Sequence, residues 1–138
     1  MIEKTPLCPQ RIRKITGSFA FIEHRFLRDG FLQELTHHEL VLYLFLVLAS
    51  DRNGLSFYCY DKICTLLQLS LDEYLWARNC LIEKDLIAFD GNLYQVLSLP
   101  QRPPGKKAPA LKADQNTPEN DPATIQQLIR KALGENHD

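Results

Sequence analysis

The pattern of apolar and polar positions predicts a series of short helices followed by a hairpin. Residues 40–49 are apolar at every position. Thr36 and Glu39 precede this run with the spacing of a capping box, which marks the start of a helix. We therefore predict a helix over residues 36–49. Because its apolar side chains point in every direction, this helix must be covered on all sides.

A hydrophobic approach segment, residues 19–35, is one candidate for that cover. It is interrupted at Gly30, and we expect it to pack across the apolar helix rather than stand alone. The alternative is a second copy of the chain, so a homodimer stays open. The apolar residues of the approach segment are Phe19, Phe21, Ile22, Phe26, Leu27, Phe31 and Leu32.

Residues 60–81 predict two short helices with a tight turn between them. The first carries apolar residues at helical spacing, and the second begins at Ser70, with Glu73 completing another capping box. Two helices joined by about four residues are typical of a helix-turn-helix. The apolar stripe of the second helix is expected to face inward. Its members are Leu71, Tyr74, Leu75, Ala77, Leu81 and Ile82.

Strands are predicted on either side of the helix pair. Residues 51–54 read as a turn and residues 55–58 as a short strand. Residues 86–99 predict a hairpin whose turn, Asp90-Gly91-Asn92, tolerates positive φ angles. The fold class is therefore α+β, mainly α with a small β-hairpin.

Composition divides the chain into four parts. Residues 1–18 form a polar, basic N-terminal arm, and residues 19–99 form the folded domain. Residues 100–122 hold six of the eight prolines and predict a flexible linker. Residues 123–134 predict a short amphipathic C-terminal helix, which would fold back or bind a partner. Its apolar face consists of Ile125, Leu128, Ile129 and Leu133.

Charge and cysteine usage narrow the function classes. The net charge is -1, and residues 31–100 hold four Lys or Arg against nine Asp or Glu, so the basic charge lies on the flanks. Four cysteines without paired spacing predict reduced thiols rather than a metal site. The ten-residue apolar run is too short to cross a bilayer. These features predict a cytoplasmic protein without a membrane segment, metal or cofactor.

Motifs of catalysis are not found in the sequence. It holds no glycine-rich phosphate loop, no HExxH and no nucleophile elbow. His37 and His38 are adjacent, so on a helix they point about 100° apart and make a poor metal pair. We therefore predict that the chain is not an enzyme.

Residues 19–99 resemble the winged helix-turn-helix family of bacterial DNA-binding and replication-initiator proteins. The matching stretches are LTHHELVLYLFLVLASDRNGLSFY, YDKICTLLQLS and ARNCLIEKDLIAFDG. The last stretch ends the second helix with Leu81, Leu86 and Ile87 before the hairpin, which in this family is the wing. The resemblance implies that the second helix binds the major groove of double-stranded DNA. It implies transcription regulation or replication initiation, with a plasmid or mobile element as a possible setting.

Candidate DNA contacts follow from this resemblance and from residue chemistry. Asn79 can read an adenine edge, Lys62 can contact phosphate, and the arm can reach a minor groove. The candidate set is Arg11, Arg13, Lys14, Lys62, Asp72, Trp76, Asn79, Arg102, Lys106 and Lys107.

The sequence departs from the family pattern at the turn and on the second helix. Gln68 occupies the turn position that glycine usually fills, at a cost of about 1 kcal/mol if its φ is positive. The predicted outward face of the second helix carries three carboxylates and one lysine, a poor surface for approaching phosphates. That face consists of Asp72, Glu73, Trp76, Asn79, Cys80, Glu83 and Lys84.

A protein-interaction adaptor is the competing hypothesis. An exposed tryptophan ringed by polar groups, here Trp76, is typical of a binding hot spot. The C-terminal helix would supply a second partner surface through Ile125, Leu128, Ile129 and Leu133. Arg78 falls within the apolar stripe, so we expect it to reach solvent or to meet a carboxylate, with Asp61 and Glu39 as candidates.

Overall fold

Four α-helices and a three-stranded antiparallel sheet are present in the computed structural model, which describes residues 4–103. The α+β class is confirmed, as are the helix after Thr36, the helix pair and the hairpin. The C-terminal helix predicted for residues 123–134 lies outside the described residues, as does most of the linker. The helices are α1 (Arg25–Arg28), α2 (His37–Ala49), α3 (Tyr60–Leu67) and α4 (Leu71–Glu83). The strands are β1 (Leu55–Phe57), β2 (Ile87–Phe89) and β3 (Leu93–Val96).

Both long helices begin with the predicted capping box. At the start of α2, the Thr36 hydroxyl accepts from the Glu39 N–H at 3.3 Å, and the Thr36 N–H donates to Glu39 Oε2 at 3.0 Å. At the start of α4, the Ser70 hydroxyl accepts from the Glu73 N–H at 3.0 Å, and the Ser70 N–H donates to Glu73 Oε1 at 2.8 Å. Each box satisfies two backbone N–H groups that the start of a helix leaves unpaired.

The turn between α3 and α4 is made by a left-handed residue. Gln68 has φ +55°, so the condition attached to its cost above is met, and the Leu69 N–H donates to the Cys64 carbonyl at 3.0 Å. The end of α4 uses the same device, because Asp85 has φ +63° and the Leu86 N–H donates to the Leu81 carbonyl at 3.1 Å. These two residues bear a conformation that glycine adopts at lower cost.

The sheet joins β1 to the hairpin in the order β1-β3-β2. Phe57 of β1 pairs with Leu93 of β3, next to the hairpin turn. At the other end, the Val96 N–H donates to the Gly54 carbonyl at 2.8 Å. Gly54 has φ +84°, and a Cβ there would lie 2.5 Å from the Val96 carbonyl oxygen, so this close approach requires glycine. The pairing of β1 with the hairpin was not predicted from the sequence.

The core lies where α4 packs against α2 and the sheet. Leu71, Tyr74, Leu75, Ala77 and Leu81 of the predicted stripe are all buried. Two residues predicted to face outward are buried as well, and that prediction was wrong for Cys80 and Lys84. Lys84 turns inward because its Nζ donates to Glu39 Oε1 and to the Glu34 carbonyl, each at 2.5 Å. A buried charge is tolerated when it is paired and hydrogen-bonded in this way.

The approach segment covers α2 only in part. Phe26 is buried and stacks on Tyr43 of α2 at 5.0 Å between ring centroids, and Phe31 is buried beside it. The Arg25 Nη2 donates to the Pro100 carbonyl at 2.6 Å and fastens the end of the domain to α1. The expectation that the whole segment packs was wrong for four of its apolar side chains. Ala20 is partly buried against the core, but its neighbours Phe19, Phe21 and Ile22 are not. The exposed members are Phe19, Phe21, Ile22 and Leu27.

One side of α2 consequently remains exposed. Val41, Leu44 and Leu48 follow the spacing i, i+3, i+7, so they form a single apolar stripe along the helix. We call these three residues the outer stripe of α2. The approach segment does not account for it.

Candidate functional site

The outer face of α4 consists of Asp72, Trp76, Asn79 and Glu83. These residues are four, three and four positions apart, which places them on one side of a helix. The neighbouring Leu75 and Ala77 are buried in the core, so the opposite side faces solvent. Trp76 is 52% exposed, and the prediction that it lies on the surface is confirmed. We call these four residues the α4 face.

Asn79 is held by the residue that precedes it. Arg78 is fully buried, and its guanidinium carbon lies 5.0 Å from the Phe89 ring centroid and 5.6 Å from that of Tyr74. Its Nε and Nη2 both donate to Asn79 Oδ1 at 3.3 Å. Arg78 does not reach solvent, which was the first of the two alternatives expected for it. Glu39, one of the two carboxylates named for the second alternative, is bonded by Lys84. Two donors on the amide oxygen direct the amide nitrogen of Asn79 away from the guanidinium.

The start of α4 is negatively charged. Glu73 is hydrogen-bonded by the Ser70 N–H, which lowers the pKa of its carboxyl group, and its Oε2 lies 3.4 Å from His38 Nε2. Asp72 adds a second carboxylate in the first turn, and Glu83 adds a third at the end of the helix. Because Lys84 is buried, the side of α4 that faces solvent is more acidic than the sequence predicted. Phosphate contacts must therefore come from other elements.

The basic candidates within residues 4–103 are all exposed. Lys62 lies in the first turn of α3, and Arg102 follows the sheet. The arm residues Arg11, Arg13 and Lys14 lie in and after a 3₁₀ turn, Pro9–Arg11. Lys106 and Lys107 lie outside the described residues, and so do the tail residues Ile125, Leu128, Ile129 and Leu133.

The hairpin turn is fixed by an aspartate. Asp90 Oδ1 accepts from the Leu93 N–H at 2.7 Å and from the Asn92 N–H at 2.9 Å. These hydrogen bonds lower the pKa of the Asp90 carboxyl group, so the turn carries a negative charge.

Lys62 also lines a cavity that the sequence analysis did not identify. The cavity has a volume of about 660 Å³ and lies between the end of β1, the first turn of α3 and the hairpin. Six aromatic rings line it: Phe57, Tyr58, Tyr60, Tyr74, Phe89 and Tyr94. The run Phe57-Tyr58-Cys59-Tyr60 was the available signal, because three aromatic residues in four positions exceed what a short strand needs for packing.

Metal-binding and membrane-spanning features were sought in the described part of the chain. Within residues 4–103, no cluster of three His, Cys, Asp or Glu side chains could hold a metal ion. None of the helices there has the length and hydropathy needed to cross a bilayer. Comparison of the chain with protein-family models, curated proteins and solved structures found no match.

Proposed function

We propose that the chain is a cytoplasmic winged-helix protein that binds double-stranded DNA through α4, in transcription regulation or replication initiation. The observation that carries the proposal is the α3–α4 pair with Trp76 and Asn79 on its outer face. The element order supports it, since a helix, a strand, two helices and a hairpin follow one another, and β1 lies beside β3. In this arrangement the hairpin acts as the wing.

Asn79 is the proposed base-reading residue. An asparagine side chain reads adenine by donating to N7 and accepting from N6. Arg78 donates to Oδ1 through both Nε and Nη2, so the amide nitrogen is the end of Asn79 that is left to donate to adenine N7. Arg78 thus acts as a positioning residue, since its buried guanidinium fixes the orientation of Asn79. Trp76 on the same face offers apolar contact to a thymine methyl group.

Phosphate contacts are assigned to exposed basic residues outside α4. Lys62 in the first turn of α3 and Arg102 beyond β3 flank the domain, while Arg11, Arg13 and Lys14 give the arm three charges for a minor groove. The carboxylates of α4 repel the phosphates of any DNA sequence. Close approach of α4 is therefore favourable only where a specific base contact offsets this repulsion. The binding is therefore expected to be selective and strongly dependent on salt.

Duplex binding can be measured through Trp76, the single tryptophan of the chain. We expect an enriched pool of random-sequence duplexes to change its fluorescence at low salt, with affinity falling steeply as salt is added. Replacing Arg11, Arg13 and Lys14 by alanine should lower the slope of log affinity against log salt by about 0.9 for each phosphate that the arm no longer neutralises. Asn79→Ala should cost about 1–3 kcal/mol at one base position.

Arg52→Ala is the matched control, because Arg52 is an exposed arginine in the turn before β1 and belongs to none of the proposed contacts. It should leave the salt slope close to that of the wild-type chain. Duplex affinity that does not respond to salt, or that is equal in the Asn79→Ala and wild-type chains for every sequence, contradicts the proposal.

A protein-interaction adaptor is the second candidate, favoured by the charge of the α4 face. Trp76 is exposed between Asp72 and Glu83 on a helix whose nearest lysine is buried. Aromatic anchors surrounded by polar groups dominate many protein interfaces. In this case Trp76→Ala abolishes binding of a protein partner, and the wild-type chain shows no duplex binding at low salt.

A further inference from the structure

The aromatic cavity beside the hairpin has a rigid floor. The hydroxyl groups of Tyr74 and Tyr94 share a hydrogen bond, and both residues are buried. Phe89 stacks on Tyr94 with 4.3 Å between ring centroids. Because these rings are fixed by α4 and by two strands, the floor keeps its shape without a ligand. Its volume of about 660 Å³ lies within the range of small-ligand sites.

The rim of the cavity presents aromatic surface to solvent. Phe57 is 70% exposed at the end of β1, although a phenylalanine in a sheet normally packs. Tyr58 is partly exposed and is held by Phe45 in an edge-to-face contact at 5.0 Å. A ring that is already held in place loses little conformational entropy when a ligand stacks on it.

The charges around the cavity select the kind of ligand. Aromatic rings can bind cations, but the rings of Tyr74 and Phe89 already receive the buried guanidinium of Arg78. These two rings are therefore already in contact with a cation of the chain itself. The charged and amide side chains that line the cavity are Lys62, Asp61 and Asn92, which provide one cation, one carboxylate acceptor and one amide. A neutral planar ring with polar edges, attached to a phosphate, fits this set.

We propose that the cavity takes an unstacked nucleobase from single-stranded DNA. The base stacks on Phe57 and Tyr58, its edge meets Asp61 or Asn92, and the adjoining phosphate meets Lys62. Base stacking on an aromatic side chain stabilises the complex and tolerates any base, since every base has a π face. Phe57 pairs with Leu93 next to the hairpin turn, so the cavity opens beside the proposed wing. The inference rests on the proposed DNA binding and extends it to a locally opened strand.

Binding of a fluorescein-labelled oligothymidine to the full chain, measured by fluorescence anisotropy, tests the inference. Phe57→Ala should weaken this binding about tenfold, and Phe57→Tyr should restore it because the ring is retained. Leu66→Ala is the matched control, since Leu66 is an exposed apolar residue of α3 that does not line the cavity. Circular dichroism of each variant establishes that the fold is kept. Lys62→Ala should weaken oligothymidine binding and reduce its dependence on salt.

The outcomes separate this inference from the proposed function. If Phe57→Ala and Leu66→Ala bind oligothymidine as the wild-type chain does, while duplex binding depends on Asn79, the cavity proposal is overturned and duplex recognition stands. If the wild-type chain binds neither oligothymidine nor duplex, both fail together. A loss of oligothymidine binding in Phe57→Ala alone, with rescue by Phe57→Tyr, supports the cavity.

Discussion

Helices α2 and α4 are built alike and present opposite surfaces. Each has thirteen residues, and each begins with a hydroxyl residue and a glutamate that form a capping box. The outer stripe of α2 is apolar, whereas the α4 face carries Asp72, Asn79 and Glu83 around a single exposed ring, Trp76. The capping box therefore predicts where a helix begins, but it does not predict what the outer surface of that helix binds.

The two capping glutamates show how strongly burial changes one motif. Glu39 is 1% exposed and its carboxylate serves both the Thr36 N–H and the buried Lys84. The Glu73 side chain is 42% exposed, and its Oε2 lies 3.4 Å from Nε2 of His38, which is exposed as well. The first turn of α2 thus reaches both ends of α4, through His38 at its start and Glu39 at its end. One of these links is buried and the other is exposed to water.

Lys84→Met is expected to produce the largest effect, because it leaves the Glu39 carboxylate buried without its cation. Breaking a buried ion pair in this way costs about 3–5 kcal/mol of unfolding free energy. His38→Ala removes the exposed counterpart and should cost about 1 kcal/mol or less. Urea unfolding of both variants measures the difference. Equal costs in the two would mean that burial does not distinguish the pairs.

A double variant tests whether the unpaired charge causes the loss of stability. Glu39→Gln combined with Lys84→Met keeps an acceptor for the Thr36 N–H and removes both charges. It should be more stable than Lys84→Met alone, since no unpaired charge stays in the core.

The sequence predicted the helices well because their signals are local. The boxes at Thr36 and Ser70 each span four residues, and the position of the turn at Gln68 follows from the spacing of the two helices. Burial of Lys84 was missed because its partners, Glu34 and Glu39, lie 50 and 45 positions away. A hydrophobic pattern predicts that a lysine faces outward. The Glu39 carboxylate comes close to Lys84 only when the chain is folded.

The sequence likewise predicted one part of the candidate site and missed others. Exposure of Trp76 follows from the periodicity of α4 alone. The orientation of Asn79 depends on the position of Arg78 between Tyr74 of α4 and Phe89 of β2, and the aromatic cavity requires β1 to pair with β3. Strand pairing of this kind joins residues such as Phe57 and Leu93, which nothing in the local sequence relates. Surfaces made by one helix were accessible to sequence reasoning, and those made by several elements were not.

Removing the hydroxyl of each capping box should have an intermediate effect. Thr36→Ala and Ser70→Ala are each expected to cost about 1 kcal/mol of unfolding free energy, measured by urea unfolding at neutral pH. The box at Ser70 should also respond to acid. The pKa of Glu73 is lowered in the folded chain, so its contribution is complete above its unfolded pKa and is lost as pH falls through the folded value. Glu73→Gln should therefore flatten the loss of stability below about pH 4. An unchanged acid profile in that variant would contradict this assignment.

The smallest effect is expected on the outer stripe of α2, where the two helices differ most. Leu44→Lys together with Leu48→Lys should change the unfolding free energy by no more than about 0.5 kcal/mol, because both side chains already face solvent. Leu46→Ala, on the buried side of the same helix, should cost about 2–5 kcal/mol and serves as the matched control.

Urea unfolding at several protein concentrations tests whether the outer stripe is exposed or is covered by a second copy of the chain. A loss in the lysine variant that grows with protein concentration would mean that a second copy covers this stripe, because only association makes stability depend on concentration. Then α2 would be the dimer surface, and α4 alone would be left to meet DNA.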